Sequence, residues 1–317
     1  MLNNRYVSRA FSTLHKYLND NVVKGKVLAK ETTMRVGGPA EIFAVADSLD
    51  QLIIVLTTAK EWGLPLFVIG KGSNLLVSDN GFPGIVLRLG RDFMRKRVEA
   101  GKIQAGAAVS LPSLVQTAAK HSLVGLSFAV GIPGNLGGAL RMNAGAHGKS
   151  IGDTVGNVVT YTRACELTVL KRDQIDFGYR NSSLSRDDII VEATLVLVPG
   201  DPEVIKHEME DYFSKRKNNQ PLQLPNSGSI FKNPKAGSAG KLIEETGCKG
   251  MRIGGAEVST KHANFIINCG YATASDVYHL MKAVQQRVFE ARGILLVPEV
   301  ELLGEFDKVL LTPTNDR

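Results

Sequence analysis

The segment NSGSIFKNP, residues 226–234, sets two serines, a lysine and two asparagines around one Phe, with Gly228 inside it and Pro234 closing it. Groups of these types donate protons and hydrogen bonds, and so polar a segment is expected outside the core. Taken alone, Ser229 reads as a turn serine in an Asn/Ser/Gly loop. An alcohol is a weak general acid far from its favoured pH, so a chemical role for Ser229 needs neighbours that relay a proton or stabilise the alkoxide. Lys232 and Asn233 lie within four residues, and Lys217 lies twelve upstream. Elsewhere, the planar, permanently charged Arg180 suits a carboxylate or a developing negative charge, although by itself it reads as a surface arginine. Glu299 and Glu301 are expected on one strand, where a spacing of two turns both to the same side.

Three glycine-rich stretches invite comparison with phosphate loops. GKGSNL, from Gly70, has the first two glycines of GxGxxG but Leu75 in place of the third, and NAGAHGKS, from Asn143, lacks the first glycine of a Walker A loop. Neither a Rossmann crossover nor a P-loop is expected. Successive glycines still let main-chain N–H groups turn into a concave anion site, and Ser73 and Asn74 add side-chain donors at one of them. The segment 131–148, GIPGNLGGALRMNAGAHG, has too much glycine for a stable core element. Tight turns account for one such loop better than for three, with Gly37-Gly38-Pro39 counted among them.

The elements that would carry these residues follow from patterning. Ser48-Leu49-Asp50-Gln51 reads as a capping box, Leu49, Leu52, Ile53, Leu56 and Ala59 continue at helical spacing, and Gly63 and Pro65 stop the helix. Residues 66–69 form a short apolar strand that runs into the Gly70 loop. Further on come β-type runs at 158–161 and 189–198, a helix around 113–121 and a charged helix over 203–217. The last hundred residues add a strand at 264–268, a helix with Val277, Leu280, Met281, Val284 and Val288 on one face, and a strand at 294–303. Near the start, Val7, Phe11, Leu14 and Leu18 mark one stripe of a surface helix. Pro199-Gly200-Asp201-Pro202 suggests a domain boundary.

With 317 residues, the chain is long enough for two or three domains and a cleft. A hydrophobic content of 44% with 22% charged residues fits a folded protein throughout. The net charge of +7 permits nucleic acid, an anionic surface or small phosphorylated ligands. The basic runs at 88–97 and 214–217 have almost no aromatic interleaving, and the first reads as solvated surface. A nucleic-acid-binding protein stays open as a reading from another class. Cys165, Cys248 and Cys269 and the six histidines show no metal-ligand spacing, so no metal is expected, and a reducing compartment fits best. No run approaches a membrane span, and cytoplasm is the expected location.

TTMRVGGPA (32–40), GKGSNLLV (70–77), GIPGNLGGALRMNAGA (131–146), FGYRNSSL (177–184), GSIFKNP (228–234) and VPEVELLG (297–304) together resemble the UDP-N-acetylenolpyruvoylglucosamine reductase family, in order and over nearly the whole chain. The resemblance implies an α+β fold: an FAD-binding module of the vanillyl-alcohol-oxidase (PCMH) type in two subdomains, followed by a C-terminal α/β substrate domain. The expected boundaries are an N-terminal helical segment 1–30, FAD-binding subdomains 31–90 and 91–199, a substrate domain 200–305 and a tail 306–317.

By that likeness Gly70, Lys71, Gly72, Ser73, Asn74 and Leu75 hold the FAD pyrophosphate. Gly131, Ile132, Pro133, Gly134 and Asn135, with Gly138, Ala139, Asn143, Ala144 and Gly145, line the rest of a non-covalent FAD. NADPH is the implied hydride donor. The family's catalytic set falls on Arg180, Ser229 as proton donor, and Glu299, with Tyr179, Lys217, Asn233 and His262 toward the substrate. His262 reads equally well as a satisfied structural histidine. Asn135, His147 and Asn226-Ser227 depart from the residues common among relatives. The short stretch between Tyr179 and Ser229 suggests the branch without an added substrate-lid loop. The expected partners are small molecules, with no nucleic acid and no membrane insertion, and the chain is expected to be a monomer. A flavin oxidase of the same fold is the competing enzyme reading.

Overall fold

The structure is a computed structural model that describes residues 4–306, so nearly all of the expected tail 306–317 lies outside the described residues. The chain forms two compact units. The first comprises the described part of Met1–Gly25 with Glu41–Lys71 and Pro83–Arg216; the second comprises Lys26–Ala40, Gly72–Phe82 and the described part of Lys217–Arg317. The units are thus interleaved along the sequence. Residues 26–30 of the expected N-terminal segment and residues 31–40 and 72–82 of the expected first FAD-binding subdomain lie in the second unit, and residues 200–216 of the expected substrate domain lie in the first.

Helices α1 (Asn4–Leu18) and α2 (Leu49–Glu61) belong to the first unit. Their buried faces, including Leu14, Leu52 and Val55, join a core with Ile42, Ala44, Ile85 and Leu87 of a four-stranded sheet. The strand order in that sheet is Val22–Val27, Pro39–Ala46, Phe82–Leu89, Leu66–Val68. Ser48 caps α2 by accepting from the Gln51 N–H, while the Gln51 side chain accepts from the N–H of Asp47, one residue earlier than a reciprocal capping box requires. Leu49 is exposed, and Val55 takes its expected place in the core.

The same core continues through an antiparallel five-stranded sheet with the order Leu167–Lys171, Val155–Tyr161, Ile189–Val196, Lys102–Gly106, Lys96–Glu99. Helix α3 (Leu111–Lys120) packs here, capped by Ser110. Contrary to expectation, the glycine-rich segment holds a core element, α4 (Leu136–Arg141), because Leu136, Ala139 and Leu140 bury one face of a helix only six residues long. Most of the 88–97 run is exposed and paired locally, Arg91 with Asp47 and Arg95 with Asp92. The charged stretch after the Pro-Gly punctuation forms α5 (Pro202–Asn219).

The second unit has its own core. Helix α6 (Ala239–Glu245) and helix α7 (Ala274–Arg292) accompany an antiparallel sheet of Arg252–Ile253, Ala256–Val258 and Ile266–Asn268. Helix α7 buries the expected stripe, and its ends follow the rules of capping. Thr273 and Asp276 form a capping box, the Asp79 carboxylate accepts from the Ala274 and Ser275 N–H groups at 2.8 Å, and Gly293 closes the helix at φ +66°. The strand expected over 294–303 is confined to Glu301–Leu303, parallel to Leu75–Val77. Pro298 has no N–H to give a ladder. The Leu296 carbonyl accepts instead from the Gln285 side chain, and the Val297 carbonyl from the Lys232 N–H. Glu299 therefore precedes the strand, and strand alternation does not pair it with Glu301.

Candidate active site

In the second unit, the segment around Ser229 is anchored by its apolar pair. Ile230 and Phe231 are each 1% exposed, which corrects the expectation that the segment is too polar for the core. Asn264 holds it like an extra strand: its carbonyl accepts from the Ile230 N–H, and its side chain accepts from the Phe231 N–H at 3.0 Å and donates to the Phe231 carbonyl at 2.8 Å. On the other side, the Glu299 N–H donates to the Ile230 carbonyl at 2.7 Å. Backbone hydrogen bonding thus lays the Ser229 and Glu299 segments side by side.

The two asparagines of the polar crowd hold the backbone around them. Asn226 accepts from the Gly228 N–H at 2.9 Å and donates to the Pro221 and Leu224 carbonyls, an Asx turn that needs Gly228 at φ +77°. Asn233 accepts from the Ala239 N–H at 3.0 Å, tying the end of the segment to α6. The Ser227 hydroxyl is buried and finds no partner among the described residues.

The second half of the Gly70 loop reaches the same place. Asn74 donates from its side chain to the Glu299 carbonyl at 3.0 Å, and its own carbonyl accepts from the Glu301 N–H at 3.0 Å. Gly72 takes φ +58° and accepts from the Thr33 N–H, with Leu75 buried in the strand that follows. Ser73 is half-buried between them. His262 faces inward: its Nδ1 accepts from the Asn264 N–H at 3.2 Å, its ring meets Phe265 edge-on, and burial pushes its pKa below the usual value. These contacts make it a support for Asn264. Lys217 is exposed, and its carbonyl accepts from the Lys261 ammonium.

The first unit holds the remaining candidates. Tyr179 and Arg180 form the two-residue tip of a hairpin that pairs Phe177 with Ser182 and Gly178 with Asn181. Arg180 takes φ +53°, a left-handed conformation that costs a non-glycine residue about 1–2 kcal/mol. The hairpin is fastened to the end of α4, where the Asn143 side chain donates to the Gly178 carbonyl at 2.9 Å and accepts from the Gly152 N–H at 3.0 Å. Ser182 donates to the Arg141 carbonyl. The Arg180 guanidinium lies 5.2 Å from the centre of the Tyr179 ring.

Ahead of α4, Gly131 and Gly134 have positive φ, and Ile132 and Pro133 lie between them. Asn135 donates to the Ala108 carbonyl, and its Oδ1 would stand 2.8 Å from a β-carbon at Gly70, so these two loops meet. Lys71 is exposed next to Gly70. Gly138 is exposed, and a β-carbon there would meet open space. Among the described residues nothing requires glycine at 138, whereas a group lying on the helix would. After it, Ala139 is buried, and Ala144 and Gly145 lead into a short hairpin. Two glycines at positive φ leading into a short helix with open space at Gly138 fit a large, flat, phosphate-bearing cofactor such as FAD.

Sequence reasoning missed Asn264 and Arg216. Asn264 lies in the segment 259–265, STKHANF, with no pattern to mark it. Arg216, at the end of α5, was hidden in a run of cations whose exposed members, Lys215 and Lys217, are its neighbours. Among the described residues, no group of three or more His, Cys, Asp or Glu is placed to hold a metal ion. No described helix is long and apolar enough to cross a membrane.

The family model described as FAD binding domain matches residues 40–166, and that described as UDP-N-acetylenolpyruvoylglucosamine reductase, C-terminal domain, matches residues 220–303. The chain is 42% identical to the UDP-N-acetylenolpyruvoylglucosamine reductase of Synechococcus sp. (strain JA-3-3Ab), over 93% of this chain and 95% of that protein. It is 45% identical to the protein of the same name from Moorella thermoacetica, over 90% of this chain and 94% of the other. The crystal structure of UDP-N-acetylenolpyruvylglucosamine reductase from Thermus caldophilus superimposes with a TM-score of 0.79 at 36% identity, covering 89% of this chain and 99% of that one. The fold is α+β with an FAD-binding module and a C-terminal domain, and the chain belongs to the UDP-N-acetylenolpyruvoylglucosamine reductase family of flavin-dependent oxidoreductases.

Proposed function

We propose that the protein uses NADPH to reduce the enolpyruvyl ether of UDP-N-acetylglucosamine to UDP-N-acetylmuramate, for peptidoglycan synthesis, with Arg180, Ser229 and Glu299 as its catalytic residues. The observation that carries this reading is the hydrogen-bonded placement of the Ser229 and Glu299 segments, each fixed through its backbone by Asn264 or Asn74. Bound FAD supplies the two-electron carrier between NADPH and the terminal enolpyruvyl carbon. The loops at Gly70 to Leu75 and at Gly131 to Gly145 would hold it.

Reduction at the terminal carbon leaves negative charge on the adjacent carbon and its carboxylate. Arg180, permanently charged at a strained hairpin tip, binds that carboxylate and stabilises the growing charge. Ser229 transfers its hydroxyl proton to the adjacent carbon, and Glu299 assists the charged intermediate. Tyr179, Lys217 and Asn233 face the nucleotide sugar, while His262 acts through Asn264. Between Tyr179 and Ser229 the chain is occupied by a strand over Ile189–Val196 and by α5, which supports the branch without an added lid. The protein works as a monomer in the cytoplasm, where NADPH is supplied.

The two half-reactions separate these roles. Ser229→Ala is expected to leave anaerobic flavin reduction by NADPH within about twofold of wild type. Reoxidation by the enolpyruvyl sugar is expected to slow by about 10²–10⁴-fold, the range for losing a positioned proton donor. Equal loss in both half-reactions, followed by rapid mixing, would remove Ser229 from that role.

A further inference from the structure

Arg216 lies in the last turn of α5, in the same compact unit as Arg180 and the Gly131 loop. Its Nε–H is sealed from solvent and has no acceptor among the described residues. It packs over Gly131, where a β-carbon would stand 3.3 Å from that Nε and 3.2 Å from the Phe213 ring. Burial lowers the Arg216 pKa, the charge of Arg180 lowers it further, and no acid is among the groups that shift it. A guanidinium stays charged under these conditions, so a dry donor beside a second cation is costly until an anion arrives. The described residues supply no such anion at the Nε–H; a ligand can.

We propose that Arg216 is a second oxyanion-binding residue that acts with Arg180 to hold the carboxylate of the enolpyruvyl substrate. This rests on the reductase reading given above. A carboxylate has two oxygens and about four lone-pair positions, enough for two guanidiniums at once, and its charge offsets their mutual repulsion. It also explains why this one cation of the SKRK run turns inward while its neighbours remain in solvent. Gly131 is then needed for two reasons, its φ of +71° and the space that Arg216 occupies above it.

The test compares two nucleotide sugars on the FAD-loaded protein by calorimetric titration: UDP-N-acetylmuramate, which carries the carboxylate, and UDP-N-acetylglucosamine, which lacks it. Arg216→Gln is expected to weaken the first by about 10- to 100-fold, the loss of a hydrogen bond to a charged group, and to leave the second nearly unchanged. Arg216→Lys, which keeps the charge without the planar fork, is expected to fall between. Flavin content and Tm equal to wild type establish that each variant is folded; if Arg216→Gln fails this check, Arg216→Lys carries the comparison. Equal weakening of both sugars would move Arg216 to the diphosphate and overturn the carboxylate assignment. Undiminished binding of UDP-N-acetylmuramate would overturn the inference alone. A wild-type protein that binds neither sugar would instead bring down the reductase reading, and this inference with it.

Discussion

Asn264 does for the Ser229 segment what a neighbouring strand would do. Its side-chain amide satisfies both backbone groups of the buried Phe231, and its own carbonyl takes the Ile230 N–H. Asn264→Ala would leave a buried donor and a buried acceptor unpaired, costing about 2–4 kcal/mol by the usual penalty for such groups. The expected result is a lower urea midpoint together with a fall in kcat larger than any change in KM, because Ser229 loses its position. An unchanged midpoint would show that Asn264 is dispensable. Nothing in the sequence marks this residue, since an asparagine in a loop is ordinarily a turn former. Ser229, Arg180 and Glu299 were proposed for the opposite reason: each sits inside a distinctive motif, although none would be chosen alone. Asn226 and Asn233 of NSGSIFKNP also bond to backbone, a structural role that no local pattern distinguishes from a chemical one.

Among the elements, the turn that carries Asn264 depends on the protonation of His262. The turn is closed by the Ser259 N–H to the Phe265 carbonyl and by the Phe265 N–H to the His262 carbonyl. The imidazole Nδ1 accepts from the Asn264 N–H, and burial holds the His262 pKa below its ordinary 6.5. Because the folded value is depressed, the unfolded chain takes the proton first as pH falls. The stability due to neutral His262 is complete above 6.5 and is lost as pH drops from 6.5 through the depressed folded value. His147, also depressed by partial desolvation and by Lys215 and Arg216, adds a term of the same sign. His262→Asn keeps an acceptor for the N–H two residues on but does not titrate, so urea unfolding between about pH 5 and about pH 8 should show a shallower acid loss than wild type. An identical slope would contradict the role given to His262. The helices were the most legible elements, as α2 and α7 show, because stripe, cap and glycine stop agree. The strand expected over 294–303 failed because Pro298 has no N–H to donate: the segment pairs with the Ser229 segment through a single bridge, Phe231 to Pro298, and a ladder begins only at Glu301.

For the molecule as a whole, the order of six motifs along the chain revealed the family, while the composition of its compact units was not readable. The chain passes between the two units at residues 25–26, 40–41, 71–72, 82–83 and 216–217, and several of these points lie within or beside strands. Linear punctuation such as Pro199-Gly200 marks the start of a helix, and it carries no information about which segments return to which core. The loop from Gly70 to Leu75 shares its residues between both units, so it reads as one motif in sequence and as two supports in space. The proposed function rests on the transfer of electrons from NADPH to the enolpyruvyl sugar through bound FAD. The most direct test is an anaerobic visible spectrum of the purified protein, first with NADPH and then with the UDP-linked enolpyruvyl sugar. The proposed reaction requires a flavin spectrum that bleaches with the first addition and returns with the second. A protein that stays colourless with added FAD, or a reduced flavin that the sugar leaves bleached while oxygen restores it, would contradict it.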